Sequence, residues 1–389
     1  MTPRVAVVTN IVPGYRADFY RRVLADERLD CEVFCQAEIA GTSLKTEAER
    51  LGPALKLVSV TGLAGERLAW QCLPFRELAR RFDVCFVYGN PRVLSNVVLA
   101  FWLRMRGVEV VIWGQAHTAG AAGISESLRL AWWRRFRNLF LYMDHEVAYL
   151  RGRGFTDHYM VGMNNGLNQD ALETAAAGWD EDRLAGWRRR HGLDGRRLLL
   201  SCARLVEKNA FDLGIDALQL LQREHPDLCW CIIGSGPEQE RLAARARAAG
   251  VADSIRWIGA VYEEDSLAPW FMSADLLLHP GAIGLTLLHA FGYGLPVVTH
   301  DDAARQMPEF AAFQDGETGL AFRCGDAADL AEKLQALLGD KALRSACAAA
   351  ARRIATGSNN TAVMAQRFAE MALALTGKRS ARQQEQRPA

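Results

Sequence analysis

Several things are scarce in this sequence, and each scarcity excludes something. No run reaches the roughly 20 apolar residues of a membrane-spanning helix. The opening stretch MTPRVAVVTNIV has neither the apolar core nor the small-residue cleavage site of a secretory signal. Net charge is almost absent, with 46 Lys and Arg against 45 Asp and Glu for a balance of +1, which argues against a dedicated nucleic-acid binder with its basic excess. A disulfide framework is missing too. The nine cysteines are odd in number, and Cys85, Cys202, Cys229 and Cys231 sit inside apolar runs, as buried thiols of a reducing compartment do. Cys31 and Cys35 are spaced CxxxC without a matching second pair, so neither a metal nor a cofactor is expected. The expected location is the cytoplasm.

What is present is a folded chain of 389 residues, half apolar and 23% charged, long enough for two domains of roughly 150 to 190 residues. Short β-branched runs alternate with helix-length amphipathic stretches from end to end, the pattern of parallel sheets with crossover helices. In the first half the strand candidates are RVAVVTNIV, CEVFCQ, LKLVSV, DVCFVYG, VEVVIWG and HEVAYL; in the second, RLLLSCAR, CWCIIG, SIRWIG, ADLLLHP, PVVTH and GLAF. The fold class is α/β, with two Rossmann-like doubly wound domains over 1–170 and 197–356. The polar, glycine-punctuated stretch 171–196 reads as the linker. A helix over 357–376 is expected to pack back on the first domain, and 377–389 to be disordered.

Chemistry concentrates in three turns of the second half. In ARLVEKNAFDLG, Arg204 and Lys208 leave the carboxyl end of a strand just before a helix whose first amides point outward, an arrangement suited to a diphosphate. Gly234 and Gly236, in the GSGP turn after CWCIIG, permit close backbone approach to a ligand. The stretch HPGAIGLTLLHAFGYGLPVV places a short helix after glycines, so that the amides of Gly284, Leu285 and Thr286 form a second anion cradle. Gly294 can end that helix in the left-handed conformation. Local ion pairing and ordinary turn geometry account for each feature separately.

Taken in order, RLVEK, GSGP, the turn from Gly259 to Val261, PGAIGLTLLHAFGYGLPVV and PEFAAFQDGETGL over about 198–340 resemble the donor domain of the retaining group 1 glycosyltransferases of the GT-B fold. The first half is similar through NIVPGYR and NNGLN. The resemblance implies two domains facing a central cleft, the first for the acceptor and the second for a nucleotide-diphosphate sugar. Arg204 and Lys208 would neutralise the departing pyrophosphate without a metal. Gly234, Gly236, Val261, Gly284, Leu285, Thr286, His289 and Glu309 would line the donor side. Two departures stand out. The cation Lys208 comes one position earlier than in many members, with Asn209 in its place, and the two glutamates those members carry across the glycine turn are here Gly281 and His289.

On the acceptor side the same resemblance points to His117, just past VVIWG, as the group assisting at the transferred sugar. Gln115 is an alternative for that aligned position, and Gly14, Tyr15 and Arg16 would line the cleft. The partners implied are a nucleotide-sugar donor and a glycan or lipid-linked acceptor, in bacterial surface glycan or glycolipid synthesis. The stretch 125–141, SESLRLAWWRRFRNLFL, projects as a helix with Leu128, Trp132, Phe136, Leu139 and Phe140 on one face and arginines around it. It either packs on its own sheet or lies on an anionic membrane surface. Two other activities remain open: a non-catalytic nucleotide-sugar-binding partner subunit, and a nucleotide-sugar 2-epimerase.

Overall fold

The computed structural model describes residues 2–39, 45–63, 68–116 and 124–385, with no side-chain description for 124, 125 and 378–385. The chain divides into two compact units, 1–168 with 360–389, and 169–359.

Unit 1 is built on β1 (Arg4–Val8), α1 (Gly14–Leu24), β2 (Asp30–Cys35), β3 (Leu55–Leu57), a hairpin of β4 (Val60–Leu63) and β5 (Leu68–Gln71), α2 (Phe75–Arg81), β6 (Val84–Tyr88), α3 (Leu94–Met105), β7 (Glu109–Gly114), α4 (Ile124–Trp133), β8 (Asn138–Leu141), α5 (Asp144–Gly152) and β9 (Tyr159–Gly162). Seven strands form one sheet in the order β3-β2-β1-β6-β7-β8-β9, every pairing parallel. Because parallel strands must be covered on both faces, the central ones are apolar throughout: in β1, Val5, Ala6, Val7 and Val8 are all buried.

Unit 2 comprises α6 (Gln169–Ala177), α7 (Glu181–Arg190), β10 (Arg197–Cys202), α8 (Phe211–Leu221), β11 (Leu228–Ile233), α9 (Gln239–Ala248), β12 (Ile255–Gly259), α10 (Glu264–Ser273), β13 (Leu276–Leu278), α11 (Leu285–Gly292), β14 (Val297–His300), β15 (Gly319–Phe322), α12 (Ala327–Gly339) and α13 (Lys341–Gly357). Its sheet runs β12-β11-β10-β13-β14-β15. Counted within the unit, that is the doubly wound order 3-2-1-4-5-6, whose ligand crevice lies beyond the carboxyl ends of the strands where the winding reverses. Here the reversal is between β10 and β13.

The chain then returns to unit 1. Thr361 donates its amide to Leu167 O at 3.2 Å and opens α14 (Thr361–Glu385). Met364, Phe368, Met371 and Leu375 of α14 join the core of β1, β6 and α1, and Phe368 lies 4.1 Å from Phe86, centroid to centroid.

Four sequence expectations are corrected. HEVAYL is not a strand but the start of α5, because Glu146 accepts the Met143 amide at 3.0 Å and so caps a helix at Asp144. The strand that pairs with β7 is β8, within the stretch expected to be one helix; α4 ends at Trp133. The expected linker 171–196 folds into unit 2: Trp187 meets Trp270 of α10 at 4.6 Å, and Arg188 caps the Ser273, Leu193 and Arg196 carbonyls. Its charge density concealed one apolar face. Finally, α14 continues through most of the expected disordered tail, to Glu385, and residues 386–389 lie outside the described part.

Candidate functional site

Three loops at the carboxyl ends of the unit 2 strands meet, and glycine is what lets them. A side chain at Gly281 would begin 2.3 Å from Lys208 O and 2.5 Å from Asn209 Cα, so the GAIG turn after β13 packs bare against the RLVEKN loop after β10. Ala282 N–H donates to Lys208 O at 3.2 Å. On the other side Gly234 has φ +143°, and a Cβ there would lie 1.9 Å from Ala203 O. Leu205 N–H bonds Ser235 O at 3.0 Å, and Gly234 N–H bonds Gly259 O at 2.8 Å. The turns holding Arg204, Lys208, Gly234, Gly236 and Gly284 are therefore one assembly, with Val261 just beyond Gly259.

The RLVEKN loop is self-closed. Asn209 is buried and its amide donates to Arg204 O at 2.7 Å, so this side chain braces the loop and leaves Lys208 as the outward one. Ala210 follows at φ +48°, a left-handed conformation that costs a residue with a Cβ about 1–2 kcal/mol. Arg204 and Lys208 are exposed, and among the described residues neither side chain has a hydrogen bond or ion pair.

Facing this loop, α11 begins with unsatisfied donors. No side chain caps it at Gly284, and among the described residues the amides of Gly284, Leu285 and Thr286 donate to no protein acceptor. The first turn of a helix carries partial positive charge and bare N–H groups, so an anion there is stabilised. Two side chains hold the turn in place. Thr286 Oγ1 donates to Cys202 O at 2.7 Å, seating α11 on the end of β10. Gln306, fully buried, accepts the Ile283 amide at 2.7 Å and donates to Thr299 Oγ1 and His300 O. Glu309 is buried, its carboxylate 3.8 Å from where a Gly284 side chain would begin.

His289 is already partnered. Its Nε2 is 2.9 Å from Glu264 Oε1 on α10, which also accepts the Tyr293 hydroxyl at 2.6 Å, while the imidazole packs 4.2 Å from Phe271. Burial opposes the Glu264 charge, yet the His289 bond and charge with the Tyr293 hydroxyl outweigh it and hold the carboxyl below its ordinary range. The same burial and carboxylate push the Tyr293 phenol up. Sequence reasoning missed Glu264 because it lies on a different helix from its partner. It also missed Tyr262, the outward aromatic beside Val261, 83% exposed. Its only sequence signal was its place in a strand-to-helix turn.

In unit 1 the corresponding reversal falls between β1 and β6. Gly14 opens α1 and Tyr15 is half exposed. Arg16, expected to face an acceptor, is instead buried over the Tyr142 ring at 5.4 Å with Nη1 3.7 Å from Met364 Sδ. Its guanidinium serves the packing of α14. Past β7, Gln115 is partly buried and the next residue is clamped: Ala116 N–H donates to Glu146 Oε1 at 2.7 Å and Ala116 O accepts from Arg129 at 2.8 Å. His117 lies outside the described residues. Among the described residues no group of three or more His, Cys, Asp or Glu able to hold a metal occurs, and none of their helices is long and apolar enough to cross a membrane.

Of the two readings of the apolar face of 125–141, the described residues follow the first, packing on the chain's own sheet. Trp133 is fully buried, fills the notch between Gly89 and Gly114, and donates to Gly89 O at 3.0 Å. Trp132, Phe136, Leu139 and Phe140 are buried as well, and of that face only Leu128 is exposed.

Residues 186–354 match the family model described as glycosyl transferases group 1. The GDP-mannose-dependent alpha-(1-6)-phosphatidylinositol monomannoside mannosyltransferase of Mycolicibacterium smegmatis is 31% identical over 230 residues, 55% of this chain and 58% of that one. The phosphatidyl-myo-inositol mannosyltransferase of Mycobacterium leprae is 31% identical over 195 residues, 49% of this chain and 47% of that one. The matches thus span about half the length of these relatives. The crystal structure of HepE from Anabaena in complex with UDP superposes with a TM-score of 0.72 over 96% of this chain and 100% of that one, at 14% identity, a likeness of fold.

Proposed function

Through residues 186–354 the chain belongs to the group 1 glycosyltransferases, and from that premise we propose that it transfers a hexose from a nucleotide-diphosphate sugar to an acceptor hydroxyl with retention. The observation that carries the reading is the contact of Gly281 with the Lys208–Asn209 backbone. It brings together, at the strand reversal, two cations and three amides that have no protein partner among the described residues.

In this mechanism the bond between the anomeric carbon and the diphosphate oxygen breaks, negative charge accumulates on the leaving diphosphate, and the acceptor hydroxyl oxygen bonds the anomeric carbon as its proton passes to the departing diphosphate. Arg204, Lys208 and the amides of 284–286 are fixed before the reaction, so they stabilise that charge without reorganising. The work is electrostatic and calls on no metal. In unit 2, Gly234, Gly236, Val261 and Glu309 border the donor and Glu264 and His289 lie on its nucleoside side; in unit 1, His117, Gly14, Tyr15 and Gln115 are the groups proposed to serve the acceptor. A mannosyl donor is supported by the mannosyltransferase names of the two relatives. A glycolipid acceptor accords with the phosphatidylinositol acceptors in those two names.

Lys208→Ala should leave the melting temperature unchanged and lower donor hydrolysis and transfer on the order of 100-fold, the loss typical of one oxyanion donor; unchanged turnover would overturn the donor assignment. A thermal-shift series with uridine, guanosine and thymidine diphosphates identifies the base, since a ligand that binds only the folded state raises its stability. One observation favours a second reading, a nucleotide-sugar-binding partner subunit: the Gly281 position is filled by backbone, leaving no room for an acidic side chain toward the sugar. That reading expects thermal stabilisation by nucleotide sugars with no hydrolysis of any of them.

A further inference from the structure

We propose that Cys229 and Cys231 form a two-coordinate site for a monovalent thiophilic cation such as copper(I). The two residues flank Trp230 in β11, so they project from one face of the sheet while Trp230 projects from the other. Their sulfurs lie 4.0 Å apart, and both side chains are fully buried. Trp230 joins Phe211 and Ile215 in the core of unit 2; the thiols take no part in that packing.

Register sets what surrounds the pair. Leu198 and Leu200 of β10 stand opposite Cys229 and Cys231 on one side, and Arg256 of β12 stands opposite Cys231 on the other. The guanidiniums of Arg256 and Arg196 both favour negative charge at Cys229. Carbonyls hold each of them: His191 O and Gly192 O accept from Arg256, the second at 2.9 Å, and Asp227 O accepts from Arg196 at 3.1 Å. Because β12 is the edge strand, the thiols lie one strand in from the edge, behind a half-buried arginine.

Charge and ligand number select the occupant. When two thiols release their protons to solvent and bond one monovalent ion, the bis-thiolate complex keeps one net negative charge, and the guanidiniums to balance it are already in place. A divalent ion on the same sulfurs would leave the complex neutral, and zinc would need two further ligands. Among the described residues no third His, Cys, Asp or Glu joins the pair. Thiolates are the soft ligands that select copper(I). Two metal–sulfur bonds of about 2.3 Å in line span about 4.6 Å, so a small side-chain rotation admits the ion. A disulfide fits less well: it needs sulfurs about 2.05 Å apart, between Cα atoms that an extended strand holds about 6.6 Å apart, near the upper limit for a bridged pair. The site lies within β11, and the inference is independent of the proposed transfer reaction.

The test uses the full chain carrying Cys72→Ser and Cys324→Ser, which removes the two exposed thiols, titrated with copper(I) buffered by bicinchoninate. One ion per chain is expected, with X-ray absorption showing two sulfur neighbours and no nitrogen or oxygen. Cys229→Ala and Cys231→Ala should each abolish this binding. Arg256→Gln keeps both thiols and decides the matter should an alanine variant not fold; it should weaken binding at least about tenfold, through loss of one nearby charge. The melting temperature should rise with copper(I) in the parent protein and stay constant in Cys229→Ala. Absence of binding, a three- or four-coordinate ion, binding that survives both alanine variants, an unchanged affinity in Arg256→Gln, or oxidation of the pair to a disulfide in place of ion capture would overturn the inference. Nucleotide binding is read separately, without copper.

Discussion

Gly281 sets the spacing of the loops that follow β10 and β13, because any Cβ there collides with the backbone at Lys208 and Asn209. Backbone cannot rotate aside as a side chain can, so Gly281→Ala should cost about 1–3 kcal/mol and blunt the thermal response to nucleoside diphosphates. A full response in a destabilised variant would separate stability from site geometry. His279, two residues earlier, is a different kind of control. Burial pushes its imidazole down to about 4 from an ordinary 6.5, with Lys208 among the charges that add to the effect. Above pH 6.5 the ring is neutral whether the chain is folded or not, and it contributes no pH dependence. As pH falls below 6.5 the unfolded chain takes up a proton that the folded chain refuses, so stability declines until pH 4 and then levels. The full decline is about 3 kcal/mol. Denaturant titrations from pH 7 to 4 should show His279→Asn losing less stability over this window than wild type; parallel profiles would exclude the assignment.

At the scale of elements, α4 shows how burial decides what a pattern means. Trp133 would clash with any side chain on Gly89 or Gly114, with 2.9 and 2.7 Å separating its ring from the Cβ positions, so helix and strand ends are cut to each other. Trp133→Ala should cost about 3–5 kcal/mol, seen as a fall in the denaturation midpoint. The α4 amphipathic pattern was legible, but a hydrophobic face reads the same against a sheet as against lipid. Likewise HEVAYL has the composition of a strand, and only the Glu146 cap at Met143 turns it into a helix.

Across the whole molecule the chain crosses from unit 1 to unit 2 once and returns once. Unit 2 is continuous in sequence and has its own core. The fragment 169–359 should therefore fold alone and be stabilised by the same nucleoside diphosphates as the full chain. Unit 1 is discontinuous, and α14 supplies Met364, Phe368 and Met371 to its core. Phe368→Ala should cost about 3–5 kcal/mol in the unfolding of unit 1 and leave nucleotide binding unchanged. Loss of both together would mean that the units do not fold independently.

Sequence by itself determined the alternation of buried parallel strands with helices, because hydrophobic periodicity is a local property that each segment carries wherever it sits. It also determined where the charged and glycine-rich turns fall, since conformational freedom and charge belong to residue types. Tertiary structure alone decided which turns touch, that Asn209 braces a loop while Lys208 is outward, that Glu264 holds His289, and that Arg16 is buried and Met105 exposed. Each of these depends on contacts between residues far apart in the chain. No local pattern encodes the partner on the other side of a contact.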